Sequence, residues 1–208
     1  GGRALTIYEK TYKESELNTN KAHQALLYSI KYCLPEACRP IILADAVFKT
    51  PWFKAIENMG WYWVCRVRGN VKLSTDGGNW QSSGDWYPLA NTKATTLGDI
   101  YYSKTTKHPC IATLYKGRKT GRIKKKKRGG KSQCSTDKYQ ENKANEPWFL
   151  ISCLPQNWDK KPDKVVALYK TRMQIEESFR DTKNAKLGVS LEFANSRSPE
   201  RFDILLLI

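Results

Sequence analysis

Apolar residues fall along this chain in two kinds of stretch: short continuous runs bounded by turn formers, and longer runs with a helical period. Residues 4–8 form the first short run and predict a strand, and residues 13–20 after them are polar. Helical spacing then sets in, with Thr19 or Asn20 as N-cap and Ala22, Ala25, Leu26, Ile30 and Cys33 on one side, until Pro35 ends it. Residues 40–45 are continuously apolar up to Asp45, the pattern of a strand covered on both faces with a carboxylate at its C-terminal end. That placement matters because open α/β sheets put their sites at the C-terminal ends of strands. A second helix is predicted from Pro51, at an N1-like position, to Asn58, with Gly60 as its stop. Residues 61–68 read as a further strand.

From Gly69 to Glu146 the helical period disappears, and Gly, Ser, Thr and Asn alternate with short β-prone pieces at 71–73, 100–102 and 111–115. Residues 147–154 return to buried-strand character, and Asp163 then caps a long helix reaching Lys183. The chain therefore divides into a first core part over 1–68, a β-rich insertion over 69–146, and a second core part over 147–208. It also begins inside a strand pattern and stops on five consecutive aliphatics, residues 204–208, so sequence beyond both ends is expected.

Charge adds a partner. Lys and Arg number 36 against 20 Asp and Glu, a net charge of +16, and the abundant cellular partner of such a surface is nucleic acid. The excess is concentrated in a loop over 116–131, sixteen residues of which ten are Lys or Arg and none is acidic. Within it Lys124, Lys125, Lys126, Lys127 and Arg128 would track phosphates without reading sequence. Seven Trp and 40% apolar residues suffice for one sizeable core. No run approaches the ~20 apolar residues of a membrane span, which points to a soluble, cytoplasmic protein with no membrane partner. The six Cys show neither a CxxC pair nor a His at zinc-ligand spacing, so they read as separate reduced thiols.

On a wheel of about 100° per residue, the long helix separates into sectors. Lys164, Ala167, Lys170, Thr171, Gln174, Glu177, Ser178, Asp181 and Thr182 form a solvent face. Leu168, Ile175 and Phe179 form one apolar edge, and Val166 and Met173 another. Between those edges lie Tyr169, Arg172, Glu176 and Lys183, so charges are bracketed by apolar residues on the core side. Such a stripe can be a buried network in which Arg172 or Lys183 pairs with Glu176. It can also be a carboxylate held for a metal ion, with cations and a phenol to grip a phosphate chain.

The spacing of Tyr169, Arg172, Glu176 and Lys183 resembles the YREK signature of bacterial insertion-sequence transposases, the DDE cut-and-paste enzymes. The context over 172–181 and the Asp45-Ala46-Val47-Phe48 element resemble the insertion-sequence-four family, and residues 43–69 and 169–208 its insertion-sequence-ten branch. The resemblance implies an α/β fold: a ribonuclease H-like mixed sheet with flanking helices, interrupted by a β-rich insertion. In that family two Asp and one Glu bind divalent metal, Mg²⁺ with Mn²⁺ as substitute. Asp45 matches the second Asp and Glu176 the Glu, in preference to its neighbour Glu177. Tyr169, Arg172 and Lys183 match positions that hold the DNA backbone. Trp148 is similar to a Trp that stacks on a flipped base, with core packing as the other reading. The implied partners are double-stranded DNA, both transposon ends and target, and a second copy in a synaptic homodimer, in a nucleoid-associated setting.

No residue before Asp45 in this sequence matches the first Asp, so the chain alone is expected to cleave DNA weakly or not at all. The implied chemistry is in-line attack on phosphodiesters, first by water and then by the freed 3′-hydroxyl. A metal-dependent nuclease on the same fold and a non-catalytic DNA-binding remnant are the rival readings. A ribosomal-type RNA-binding protein fits the charge but would not need the stripe. His23 and His108 have no partner at catalytic spacing.

Overall fold

The computed structural model describes residues 4–17, 19–118, 134–136, 142, 145–156, 158, 161–184 and 198–199. Helix α1, Asn20–Cys33, starts where Thr19 accepts a hydrogen bond from the Ala22 amide at 3.2 Å. It ends as Leu34 turns extended before Pro35. Leu27 is its one buried residue among those described, whereas Ala25 and Cys33, expected on the inner side, are exposed. Strand β1, Ile41–Ala44, leads to Asp45. Helix α2, Thr50–Asn58, carries Pro51 in its first turn and buries Trp52, Phe53 and Ile56. It stops at Gly60, whose φ of +71° only glycine adopts without strain. Strand β2, Tyr62–Val67, carries Trp63 as its second residue, stacked on Phe53 with ring centroids 4.2 Å apart and its indole donating to Glu57 at 2.9 Å.

The β-rich segment supplies β3, Lys72–Ser74, β4, Gln81–Ser82, β5, Thr95–Tyr102, and β6, His108–Tyr115. Strand β7, Trp148–Cys153, follows. Together these form a seven-stranded mixed sheet in the order β1-β2-β7-β6-β5-β3-β4. The hairpin of β5 and β6 is antiparallel from Thr95 opposite Leu114 to Tyr102 opposite His108, with a bulge at Thr96 and Gly98 where Gly98 takes φ +79°. Phe149, Leu150 and Ile151 of β7 are fully buried, as its continuous apolar run requires. By packing, the chain forms two compact units: Gly1–Leu43, Val47–Trp63 and Ala167–Ile208 in one, Ala44–Ala46 and Val64–Val166 in the other.

Two further expectations change. Residues 4–8 form no strand, and Leu5 and Ile7 are exposed: β propensity without a paired neighbour does not make a strand. The single long helix is two, α3, Pro162–Lys170, and α4, Met173–Lys183, with Asp163 in the first turn of α3 accepting from the Ala94 amide at 3.3 Å. At the junction the amides of Thr171, Arg172, Gln174 and Ile175 each bond three residues back, and the Thr171 hydroxyl also donates to the Leu168 carbonyl at 2.7 Å. Steps of this kind advance about 120° rather than 100° per residue, so the wheel slips. Met173, Ile175 and Phe179, assigned to inner edges, are accordingly 41%, 42% and 53% exposed.

Candidate functional site

Asp45 stands half-buried immediately after β1, where a continuously apolar strand delivers a carboxylate to its own C-terminal end. Its Oδ1 accepts from the Ala46 amide at 2.8 Å, and its backbone carbonyl accepts from the Cys65 thiol at 3.2 Å. Burial, then the Asp45 charge and Cys110, hold the Cys65 thiol far above its ordinary pKa, so it stays a protonated donor.

In the other unit, three of the four stripe residues form one chain of contacts. Tyr169 is buried, and the Arg172 guanidinium lies 5.7 Å from its ring centroid. Arg172 Nη2 then donates to Glu176 Oε1 at 2.6 Å, one helical turn on, with the two side chains 21% and 49% exposed. The Arg172–Glu176 pairing that the spacing left open is therefore formed. Lys183 is exposed in the last turn of α4, and Glu177 is exposed beside Glu176. Among the described residues no three His, Cys, Asp or Glu side chains come together to hold a metal ion. Each carboxylate by itself offers hard oxygens of the kind Mg²⁺ takes, and Asp45 Oδ2 and Glu176 Oε2 have no hydrogen-bond partner among the described residues.

Trp148, the half-buried first residue of β7, is held on two sides. Tyr115 meets it at 61°, centroids 5.8 Å apart, and the Arg66 guanidinium lies 5.8 Å from its ring centroid. Arg66 Nη2 donates to the carbonyls of Glu146 and Pro147 and to Glu146 Oε2, all within 3.4 Å. Arg68 Nε pairs with the same Oε2 at 3.3 Å, and the Tyr87 hydroxyl donates to Glu146 Oε1 at 2.9 Å. Burial, and then this bond, push Tyr87 up to about 12. Sequence reasoning missed Arg66, Arg68, Tyr87 and Glu146; the only signal was two arginines at i and i+2 in an otherwise apolar strand. Lys124, Lys125, Lys126, Lys127 and Arg128 lie outside the described residues.

A mixed sheet with flanking helices and an acidic strand end narrows the fold; the family follows from comparison. The family model of the transposase DDE domain matches residues 16–208, and the chain belongs to that family. Its mixed α/β fold agrees with the ribonuclease H-like fold of DDE transposases, an enzyme family that acts on DNA in transposition and generally uses divalent metal ions. No curated protein matches the chain. Among the described residues no helix is long and apolar enough to cross a membrane.

Proposed function

We propose that this chain is the catalytic region of a bacterial insertion-sequence transposase of the insertion-sequence-four type, insertion-sequence-ten branch, which cuts DNA at the element's ends and joins them to target DNA. The observation that carries this reading is the contact chain Tyr169, Arg172, Glu176, since three signature residues meet although the helix is broken between them. In this reading Asp45 and Glu176 are metal ligands and take no proton. Bound Mg²⁺, or Mn²⁺ in its place, would supply Lewis acidity at the phosphodiester being attacked.

The remaining work is alignment. Arg172 has five N–H donors in a planar fork, so it can hold Glu176 and still offer donors to a DNA phosphate. Tyr169 supports the guanidinium from below, and Lys183 places a second cation one helix length on. Lys124, Lys125, Lys126, Lys127 and Arg128 add sequence-independent affinity. Trp148, held by Tyr115 and Arg66, offers a ring on which an unpaired base can stack. The active complex is a synaptic homodimer, and the protein works at the nucleoid in the cytoplasm.

A strand-transfer assay with the complete gene product and labelled element ends tests the proposal. Joined products are expected. Cutting without joining would make the protein a nuclease, and binding without either would make it a non-catalytic DNA-binding protein.

A further inference from the structure

Away from Asp45 and the signature helices, α1 and α2 enclose a groove of about 390 Å³ within one unit. Its floor is apolar, with Leu27 fully buried. Its rim is not. Gln24, Tyr28 and Lys31 stand at i, i+4 and i+7 of α1, and Lys54 and Asn58 at i and i+4 of α2, so each helix turns one polar edge to the same groove. All five side chains are exposed, and none has a side-chain hydrogen bond or ion pair among the described residues. No carboxylate lines the groove.

That combination differs from the arginines of the sites described above. Arg66, Arg68 and Arg172 are each matched to Glu146 or Glu176, whereas Lys31 and Lys54 face one groove unneutralised. Lys31 also lies in the last turn of α1, where a cation suits the helix dipole. That explanation does not extend to Lys54 or to the amides of Gln24 and Asn58. Two ammonium groups, two carboxamides and a phenol are all donors to an oxyanion, and the 57% exposed Tyr28 adds a ring face against which a sugar or base can lie.

We propose that the α1–α2 groove is a second DNA-binding surface, which takes the phosphodiester backbone between Lys31 and Lys54 with Gln24, Asn58 and Tyr28 as neutral partners. It does not rest on the roles given to Asp45 and Glu176. DNA is the occupant because the chain belongs to a DNA-acting family and carries a net charge of +16.

The test is fluorescence anisotropy of this chain with a labelled duplex of arbitrary sequence across a KCl series. Lys31→Gln with Lys54→Gln is compared with the exposed pair Lys93→Gln with Lys104→Gln, which removes equal charge elsewhere. Two lost phosphate contacts should flatten the slope of log K against log salt by about 1.8 for the groove pair. The control pair should leave it nearly unchanged, and both variants should melt with the parent, since all four positions are exposed. An unchanged slope for the groove pair overturns the proposal, as does an equal flattening by the control pair. Tighter binding of polyglutamate than of the duplex at matched charge, lost in the groove variant, would overturn it in favour of an acidic protein partner. If the groove pair weakens binding while Glu176→Gln leaves cleavage intact, the groove stands and the assignment of Glu176 fails.

Discussion

The thiol of Cys65 on β2 donates to the backbone carbonyl of Asp45 just beyond β1, at 3.2 Å. Cys65 is 1% exposed, so the donor itself is shielded from water. The thiol also reaches the Arg66 carbonyl at 3.4 Å, and a buried donor of this kind contributes about 1 kcal/mol net, which its removal without loss of volume measures as a whole. Cys65→Val fills the site but cannot donate. We expect its unfolding free energy, from urea titration, to fall by about 1 kcal/mol, and Asp45 to lose one of its two fixed points. Parent-level stability in Cys65→Val would show that the bond contributes nothing. In the folded parent, iodoacetamide should modify exposed Cys33 and Cys134 well before buried Cys65 and Cys110.

Glu146 is the hub between β2 and the start of β7, and its loss should be felt mainly as stability. Its carboxylate faces two guanidinium groups and one phenol, and Arg66, 8% exposed, depends on it for charge compensation. Removing one partner of a largely buried pair leaves the other charge stranded. Glu146→Ala should lower the unfolding free energy by about 2–4 kcal/mol. Glu146→Gln, which keeps an acceptor for Tyr87, should cost less. If the two variants match the parent in denaturant titration, Arg66 is satisfied by the carbonyls of Glu146 and Pro147 alone.

Much of this fold was readable from residue order. The runs over 40–45, 61–68 and 147–154 correspond to β1, β2 and β7; β2 and β7 are largely buried, as unbroken apolar runs imply, whereas β1, the end strand of the order, buries only Ala44 and leaves residues 41–43 half-buried. Thr19 and Pro51 marked two helix starts through their local chemistry. The break at 171–172 was not readable, because Thr171 looks like any polar surface residue until its hydroxyl is seen competing for a backbone carbonyl. Nor was the pairing of Arg66 with Glu146, eighty positions apart, since only the folded sheet brings them together. Of the stripe, Tyr169 is buried as the wheel required, but Glu176 and Lys183 are exposed because the tightened junction turns α4.

Alkaline pH should destabilise the protein through groups whose protons the fold retains. Tyr102 is pushed up to about 12 by burial and then by Cys65 and Cys110, and Tyr87 to about 12 by burial and then by Glu146, each from an ordinary value of 10.0. Cys65 is raised in the same sense from 9.0. The unfolded chain therefore releases these protons first, and between the two sets of values it binds fewer than the folded chain does. By linkage their contribution is whole below about pH 9 and is lost as pH climbs toward about 12. The melting temperature should be level from pH 7 to 9 and fall from there to pH 11, and Tyr102→Phe should make the fall shallower. A level profile through pH 11 would contradict this.

The pairing of Arg172 with Glu176 makes the two roles of the carboxylate separable by substitution. If Glu176 is a metal ligand, Glu176→Gln in the complete gene product keeps a partner for Arg172 but gives up the anionic oxygen. Cleavage should then fall by at least about a thousandfold, a transition-state loss of about 4 kcal/mol, with DNA affinity changed less than threefold. Asp45→Asn should behave alike, since the neutral amide is a poor ligand for a hard cation while its carbonyl can still accept from the Ala46 amide. If Glu176 is only the structural partner of Arg172, cleavage and binding should decline together and by similar factors as the guanidinium loses its place over Tyr169. Gel-shift titration beside a cleavage time course distinguishes the two, because a metal ligand affects the rate alone, whereas a structural pair affects both.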